Sequence, residues 1–288
     1  MKKRSAFLLS ILIFALCGCG SEETDQDCPP YFQTILQEFT TDWMDYSVGG
    51  HPTSSLMEAL CDSGVTNGGR EEDGIFTCFI KQDNDAEGEY ASFDLKELFT
   101  DAEEWNWASA GAFCDEDKGK TYICYYDFND LTEAGERDPQ LILVEFDTDQ
   151  PTNYRATPYS VEPRDSFSWY CECYRIDDNL YVAGQEELGA IDLNTKQFRY
   201  CSEEKSWAEE YAQKVFGEEA YYLRAFRGIL EQDDVTVYSA EVAEAIDVPA
   251  VGMVFVTVRG NQPIAYMSVD LTAEDITQGV KIKTATAE

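Results

Sequence analysis

The chain has 288 residues, 44% of them hydrophobic and 13% aromatic, with 56 acidic residues against 21 basic ones. A net charge of −35 repels phosphate backbones, which excludes nucleic acid as a partner. The aromatic content excludes an acidic disordered chain, since such chains lack the apolar groups that drive folding, and the length suits one large or two small domains.

Lys2, Lys3 and Arg4 form a basic head, followed by an apolar run from Ala6 to Leu16 that only Ser10 interrupts. The run is shorter than the roughly 20 apolar residues a spanning helix needs, and with its charged head it has the plan of an export signal. It ends in Leu16-Cys17-Gly18-Cys19. This tetrapeptide resembles the lipobox of bacterial lipoproteins, with Cys17 where Ala or Ser is usual. The resemblance implies cleavage before Cys19, diacylglycerol on the Cys19 thiol, and a membrane-anchored protein on the periplasmic face or cell surface. A single acyl chain anchors only marginally, so the paired chains of that modification matter. Residues 1–18 then form the signal peptide. Residues 19–27, polar and acidic from Gly20 onward, form a flexible tether.

Export bears on the other eight cysteines. An even number in an oxidising compartment permits disulfides. Cys28 and Cys61 bracket an N-terminal helical region, and Cys114 and Cys124 bracket a turn, so these four are the disulfide candidates. Zinc lacks support, because His51 is the sole histidine and no Cys-x-x-Cys pair exists.

Residues 28–74 read as an N-terminal helical segment. Pro29 and Pro30 open it, and Phe32, Ile35, Leu36, Phe39 and Trp43 recur at helical spacing. Ser55 to Glu58 has the spacing of a capping box. Gly64 to Gly74, with Asn67-Gly68-Gly69, reads as loop. His51, beside Pro52, would have to serve any histidine-based nucleophilic site, yet no Gly-x-Ser-x-Gly elbow accompanies it, and it reads as a loop histidine.

Residues 75–288 read as a β-rich repeat domain. Four candidate hairpins recur: 75–80 with 90–95, 121–126 with 141–148, 169–174 with 188–193, and 254–258 with 265–271. In each, the second strand ends in an apolar residue, Asp, then Leu or Thr, and the Asp is suited to cap the following turn. The steps from Cys78 to Cys124, Cys171 and Phe255 are 46, 47 and 84 residues. Segments 221–226 and 235–239 are the candidate for a missing unit in the longest step. This period, with the turn Ile191 to Lys196, resembles a β-propeller, which implies a mainly β fold of repeated antiparallel hairpins with a few helices. Asp94 to Trp105 and Ser206 to Gly217 carry helix signals, the second giving a helix near 206–216. The alternative is an α+β fold with one antiparallel sheet.

The sharpest ligand signal is Asp83-Asn84-Asp85-Ala86-Glu87-Gly88. Acids at alternate positions, a glycine at the sixth and Asp94 at the twelfth match the ligand plan of a calcium loop, although the flanks are strand-like. Calcium, through Asp83, Asp85, Glu87 and Asp94, is the one cofactor this suggests; an acidic hairpin turn is the plainer reading. Asp115 to Lys120, with its two lysines and Gly119, reads as a solvated hairpin turn. Trp105 and Trp107 are spaced to share a strand face and stack on sugar, though core packing takes most tryptophans. No catalytic residue stands out. The expected function is a lipid-anchored extracytoplasmic binding or scaffold protein. Its partners are the membrane, through the anchor, and a protein, glycan or cationic ligand. The alternative is an exported glycan hydrolase using two carboxylates.

Overall fold

The computed structural model describes residues 28–36, 66–72, 75–80, 89–94, 107–115, 118–127, 140–161, 172–183, 187–217, 222–232, 234–245, 248–273 and 279–284. The protein is mainly β and divides into two compact units, Cys61–Cys201 and a discontinuous one made of Met1–Leu60 with Ser202–Glu288. Every sheet is an antiparallel meander in which strands adjacent in sequence pair.

The described residues of the inserted unit form three sheets. The first is β1 (Thr66–Glu72), β2 (Ile75–Ile80) and β3 (Glu89–Asp94). The second is β4 (Trp107–Asp115), β5 (Lys120–Asp127), β6 (Gln140–Asp147) and β7 (Tyr154–Ser160). The third is β8 (Glu172–Ile176), β9 (Asn179–Ala183), β10 (Leu188–Asp192) and β11 (Gln197–Tyr200). The opening strands are neighbours: β1 lies against β4, and β4 against β8. Between the second and third sheets, Tyr122, Cys124, Leu141 and Leu143 pack with Leu180, Val182, Ile191 and Leu193 in one apolar cluster. Every residue of β7 is half-buried or exposed, as on an edge strand, and β7 carries Pro158, which has no N–H to donate to a further strand.

The discontinuous unit is one five-stranded sheet: β12 (Tyr222–Gln232), β13 (Val235–Ala243), β14 (Ala250–Arg259), β15 (Gln262–Asp270) and β16 (Val280–Thr284). Helix α1 (residues 30–36) covers one face, where Phe32, Ile35 and Leu36 pack on Val237, Met253, Phe255, Met267 and Val269. Helix α2 (Ser202–Phe216) covers the other, with Tyr211 stacked on Tyr266 at 4.8 Å between ring centroids. Successive strand residues face opposite sides, so Tyr266 meets α2 while Met267 meets α1. With both faces covered, β14 is buried without interruption from Gly252 to Val258. α2 stops at Gly217, whose φ of 108° few other residues adopt.

Several expectations change. Residues 66–72 are strand, not loop: β1 pairs with β2 through an irregularity between Thr66 and Gly69. Glycine is tolerated at such a bulge on an edge strand. Residues 172–174, the described part of the segment 169–174, do not pair with 188–193. The turn at Asp177-Asp178 sends the chain back as β9, which pairs with both β8 and β10. The residues near 221–239 form no separate unit either, since β12 and β13 join the sheet of β14 to β16. The long step in spacing is filled by α2 and two extra strands. α2 itself starts at Ser202, four residues before the expected capping serine. Residues 28–36 are no segment of their own, because their apolar side belongs to the core of the C-terminal sheet. The expected helices at 37–43, 55–58 and 95–105 lie outside the described residues.

Candidate functional site

The β4–β5 and β6–β7 turns share one end of the second sheet, and the β8–β9 and β10–β11 turns share one end of the third, as antiparallel meanders require. Polar side chains meet there. Asp115, at the end of β4, is only 3% exposed, yet it faces the Arg175 guanidinium from β8. Its Oδ1 accepts a hydrogen bond from the backbone N–H of Lys118 at 3.1 Å, and the Lys118 ammonium stands 3.7 Å from its Oδ2. Lys118 reaches on to Asp178 in the β8–β9 turn at 2.9 Å. Lys196, in the β10–β11 turn, pairs with Glu145 of β6 at 2.5 Å and lies 5.5 Å from the centre of the Tyr122 ring. Lys120 pairs with Asp147 within the second sheet at 3.1 Å, and the Thr121 and Thr148 hydroxyls are 2.9 Å apart.

Three of these pairs, Asp115–Arg175, Lys118–Asp178 and Glu145–Lys196, cross from the second sheet to the third. A carboxylate buried like Asp115 is tolerable only when a charged partner and hydrogen bonds replace its water. The local sequence supplies the means. Gly119, at φ 59°, lets the β4–β5 turn double back so that Lys118 reaches Asp115. Asp192 Oδ1 accepts from the backbone amides of Asn194 and Thr195, each at 2.8 Å, which fixes the turn that presents Lys196. Asp270 caps the turn after β15 in the same way, accepting from the Thr272 amide at 2.9 Å. At Asp192 and Asp270 the strand-end Asp therefore does what its position suggests, whereas Asp147 Oδ1 accepts from Lys120 Nζ at 3.1 Å.

The electrostatics fit a set of closed pairs. The hydrogen bond from Lys118, then that from Asn194, holds the Asp178 carboxyl below its usual range. The bond to Asp178 raises Lys118, and the bond to Asp147 raises Lys120. Burial raises Tyr122, with the Glu145 charge adding to it. Burial also pushes Tyr159, on β7, up to about 12. The Tyr159 hydroxyl is buried without a hydrogen-bond partner among the described residues. Chemically the cluster is a fixed array of donors and acceptors. Asp115 and Glu145, which a proton-transfer mechanism would need uncommitted, each face a cation.

Of the site residues expected from the sequence, Cys28, Asp94, Cys114 and Cys124 are among the described residues. Cys19, Asp83, Asp85, Glu87, His51, Cys61 and Trp105 lie outside the described residues. Asp94 ends β3 opposite Ile75, and the segment 81–88 joins the paired strands β2 and β3, so its flanks are strands as read. Among the described residues no group of three or more His, Cys, Asp or Glu is placed to hold a metal ion. Cys28, Cys124 and Cys201 are thiols. The Cys114–Cys124 bridge is not made. Cys114 pairs with Thr121 and Cys124 with Gly111, a three-residue offset that sets the two Cα atoms about 11 Å apart, beyond the roughly 7 Å a disulfide spans. Cys28 Sγ lies 3.8 Å from the Pro29 carbonyl oxygen.

Sequence reading missed Arg175 and the burial of Asp115. The one signal was Arg175 set between the apolar Tyr174 and Ile176 on a short strand. The Asp115–Lys120 turn is the hairpin expected, but its first acid belongs to the interior.

No protein family matches the chain, and no curated protein matches it. Among solved structures, the extracellular domain of a hybrid two-component system of B. thetaiotaomicron aligns at 11% identity and a TM-score of 0.24. The alignment covers 78% of this chain and 37% of that one, and similarity at this level establishes no common fold. Among the described residues no helix is long and apolar enough to cross a membrane.

Proposed function

We propose that this is a lipid-anchored extracytoplasmic binding or scaffold protein, held to a bacterial membrane through Cys19, whose inserted unit is propeller-like. The successive meanders and the neighbouring opening strands β1, β4 and β8 support the propeller-like reading. The observation that carries the binding role is the turn-end cluster. Its cations and carboxylates are used against one another across two sheets, which suits a rigid polar surface rather than acid–base chemistry. Lys118 and Asp178 remain about half exposed at 47% and 53%. They offer a fixed donor and acceptor to a protein or glycan ligand.

Three measurements test the proposal. Labelling with a radioactive fatty acid checks the anchor: the natural chain takes up label, and a Cys19→Ala variant that still does so overturns it. Glycan-array and peptide-array binding by the natural chain and by Lys118→Ala checks the surface. Binding that survives unchanged in the variant moves the site elsewhere. Release of reducing sugar from a bound glycan would replace the binding role with the hydrolase reading.

A further inference from the structure

The two edges of the C-terminal sheet are built differently among the described residues. At the β12 edge, pairing with β13 is irregular between Arg224 and Arg227 and again between Gly228 and Leu230, with Ala225 at φ 51° in the first break. Bulges of this kind twist an edge away from further pairing. At the other edge, β16 pairs with β15 from Val280 to Thr284 without a shift in register. That edge has the regular backbone an added strand needs.

The sequence of β16 alternates. Val280 and Ile282 pack against the α1-facing cluster. Lys281 and Lys283 lie opposite Ser268 and Tyr266, which places both on the α2 side of the sheet, and both are exposed. Lys118, Arg175, Lys196 and Arg259 each face a carboxylate. Lys281 and Lys283 form no ion pair among the described residues, in a chain with 56 acids. Glu210 of α2 acts on the Tyr266 phenol without pairing with either lysine.

A second copy of the chain fits this edge poorly. Two copies related by a two-fold axis pair residue i with residue j at constant i + j, and continuous sheet faces require that sum to be even. The registers of greatest overlap then set Lys281 against Lys283, or a lysine against its own copy. Like charges directly opposite one another are destabilising. Side chains return to one face at every second residue, so the complementary strand carries two acids with one residue between them.

We propose that the β16 edge takes an extended acidic segment of another protein as an added strand, with Glu or Asp opposite Lys281 and Lys283 and an apolar residue opposite Ile282. This surface is separate from the turn-end cluster and independent of the Cys19 anchor. The test titrates the full chain into a dye-labelled peptide built on Glu-Val-Glu flanked by threonines, read by fluorescence anisotropy and by amide exchange. Binding at low salt, weakened in 1 M salt by screening, and slowed exchange in residues 280–284 are expected. The double variant Lys281→Glu, Lys283→Glu is expected to bind that peptide at least about tenfold more weakly and to gain binding to the matching Lys-Val-Lys peptide. Such a gain cannot come from a misfolded variant. No binding by the natural chain, equal binding of the Glu peptide by the variant, or protection confined to residues other than 280–284 overturns the proposal.

Discussion

Replacing Arg175 with methionine puts the cross-sheet pairing to its most direct test. Asp115 is 3% exposed and faces the Arg175 guanidinium. Methionine keeps much of the side-chain volume and removes the charge, leaving a buried carboxylate with reduced compensation. Breaking a buried pair from one side costs about 3–5 kcal/mol. Here the Lys118 amide at 3.1 Å and the Lys118 ammonium at 3.7 Å remain, which sets the expectation near the lower limit, about 3 kcal/mol. For a protein of this size that corresponds to a fall in Tm of roughly 6–12 °C for the inserted unit. Urea denaturation gives the free energy directly, provided the slope with denaturant is unchanged. The double variant Asp115→Leu, Arg175→Met removes both charges, and an apolar pair of similar volume is often as stable as the ion pair it replaces. It should recover to within about 1 kcal/mol of the natural chain. A single variant costing under about 1 kcal/mol would show that Asp115 is not desolvated as argued. A double variant as unstable as the single one would show that packing, not charge, sets the cost.

Three further outcomes follow from individual side chains. Tyr159→Phe removes a buried hydroxyl with no partner among the described residues, so at pH 7 it should leave stability unchanged or raise it by up to about 1 kcal/mol in urea. Since the Tyr159 phenol titrates at about 12 in the fold and near 10 when unfolded, only the unfolded state ionises between those values. The stability is whole below pH 10 and falls as pH rises toward 12. Tyr159→Phe should flatten that fall, and an unaltered alkaline profile would refute the assignment. At Gly252 an added Cβ would come within 2.2 Å of the Phe216 ring and 3.0 Å of the Val269 carbonyl oxygen. Gly252→Ala should therefore loosen the end of α2 at a cost of about 1–3 kcal/mol, read as faster amide exchange in residues 211–216. Asp192→Ala removes the acceptor of two backbone amides and should cost about 1–2 kcal/mol. A wild-type melting curve for that variant would mean the Asx turn does not hold Lys196 in place.

Local signals were the legible ones. The apolar β-branched and aromatic runs at Ile75–Ile80, Lys120–Asp127 and Ala250–Arg259 are strands, and the residues around Trp207 and Tyr211 are helix. The Asp at the end of a strand forecast the caps at Asp192 and Asp270. What stayed hidden depends on partners remote in sequence. β7 and β11 are edge strands of mixed polarity, and only pairing with β6 and β10 defines them. β1 hid behind its glycines. Arg175 reads as an ordinary charged residue until β8 is placed beside β4. The even spacing of the hairpins was informative about meanders but could not count sheets, because a helix and two added strands occupy the same length of chain as a repeat unit.

The discontinuous core has a consequence for folding that neither unit alone would suggest. Phe32 and Ile35 are wholly buried against Met267 and Val269, contacts that close a loop of more than 200 residues. The entropy of that closure has to be met before the contacts contribute. The inserted unit has no such debt, since each of its sheets pairs only strands adjacent in sequence. It is therefore expected to gain protection first, and the α1 face of the C-terminal sheet last. Pulse-labelled amide exchange during refolding of the full chain reads this order: amides of β5 and β6 should be protected ahead of those in α1. Phe32→Ala should cost about 3–5 kcal/mol in the discontinuous unit while leaving the early protection of β5 and β6 in place. Protection of α1 that keeps pace with β5, or early protection lost in Phe32→Ala, would mean that the two units fold as one and that the core division drawn from their packing does not govern how the chain assembles.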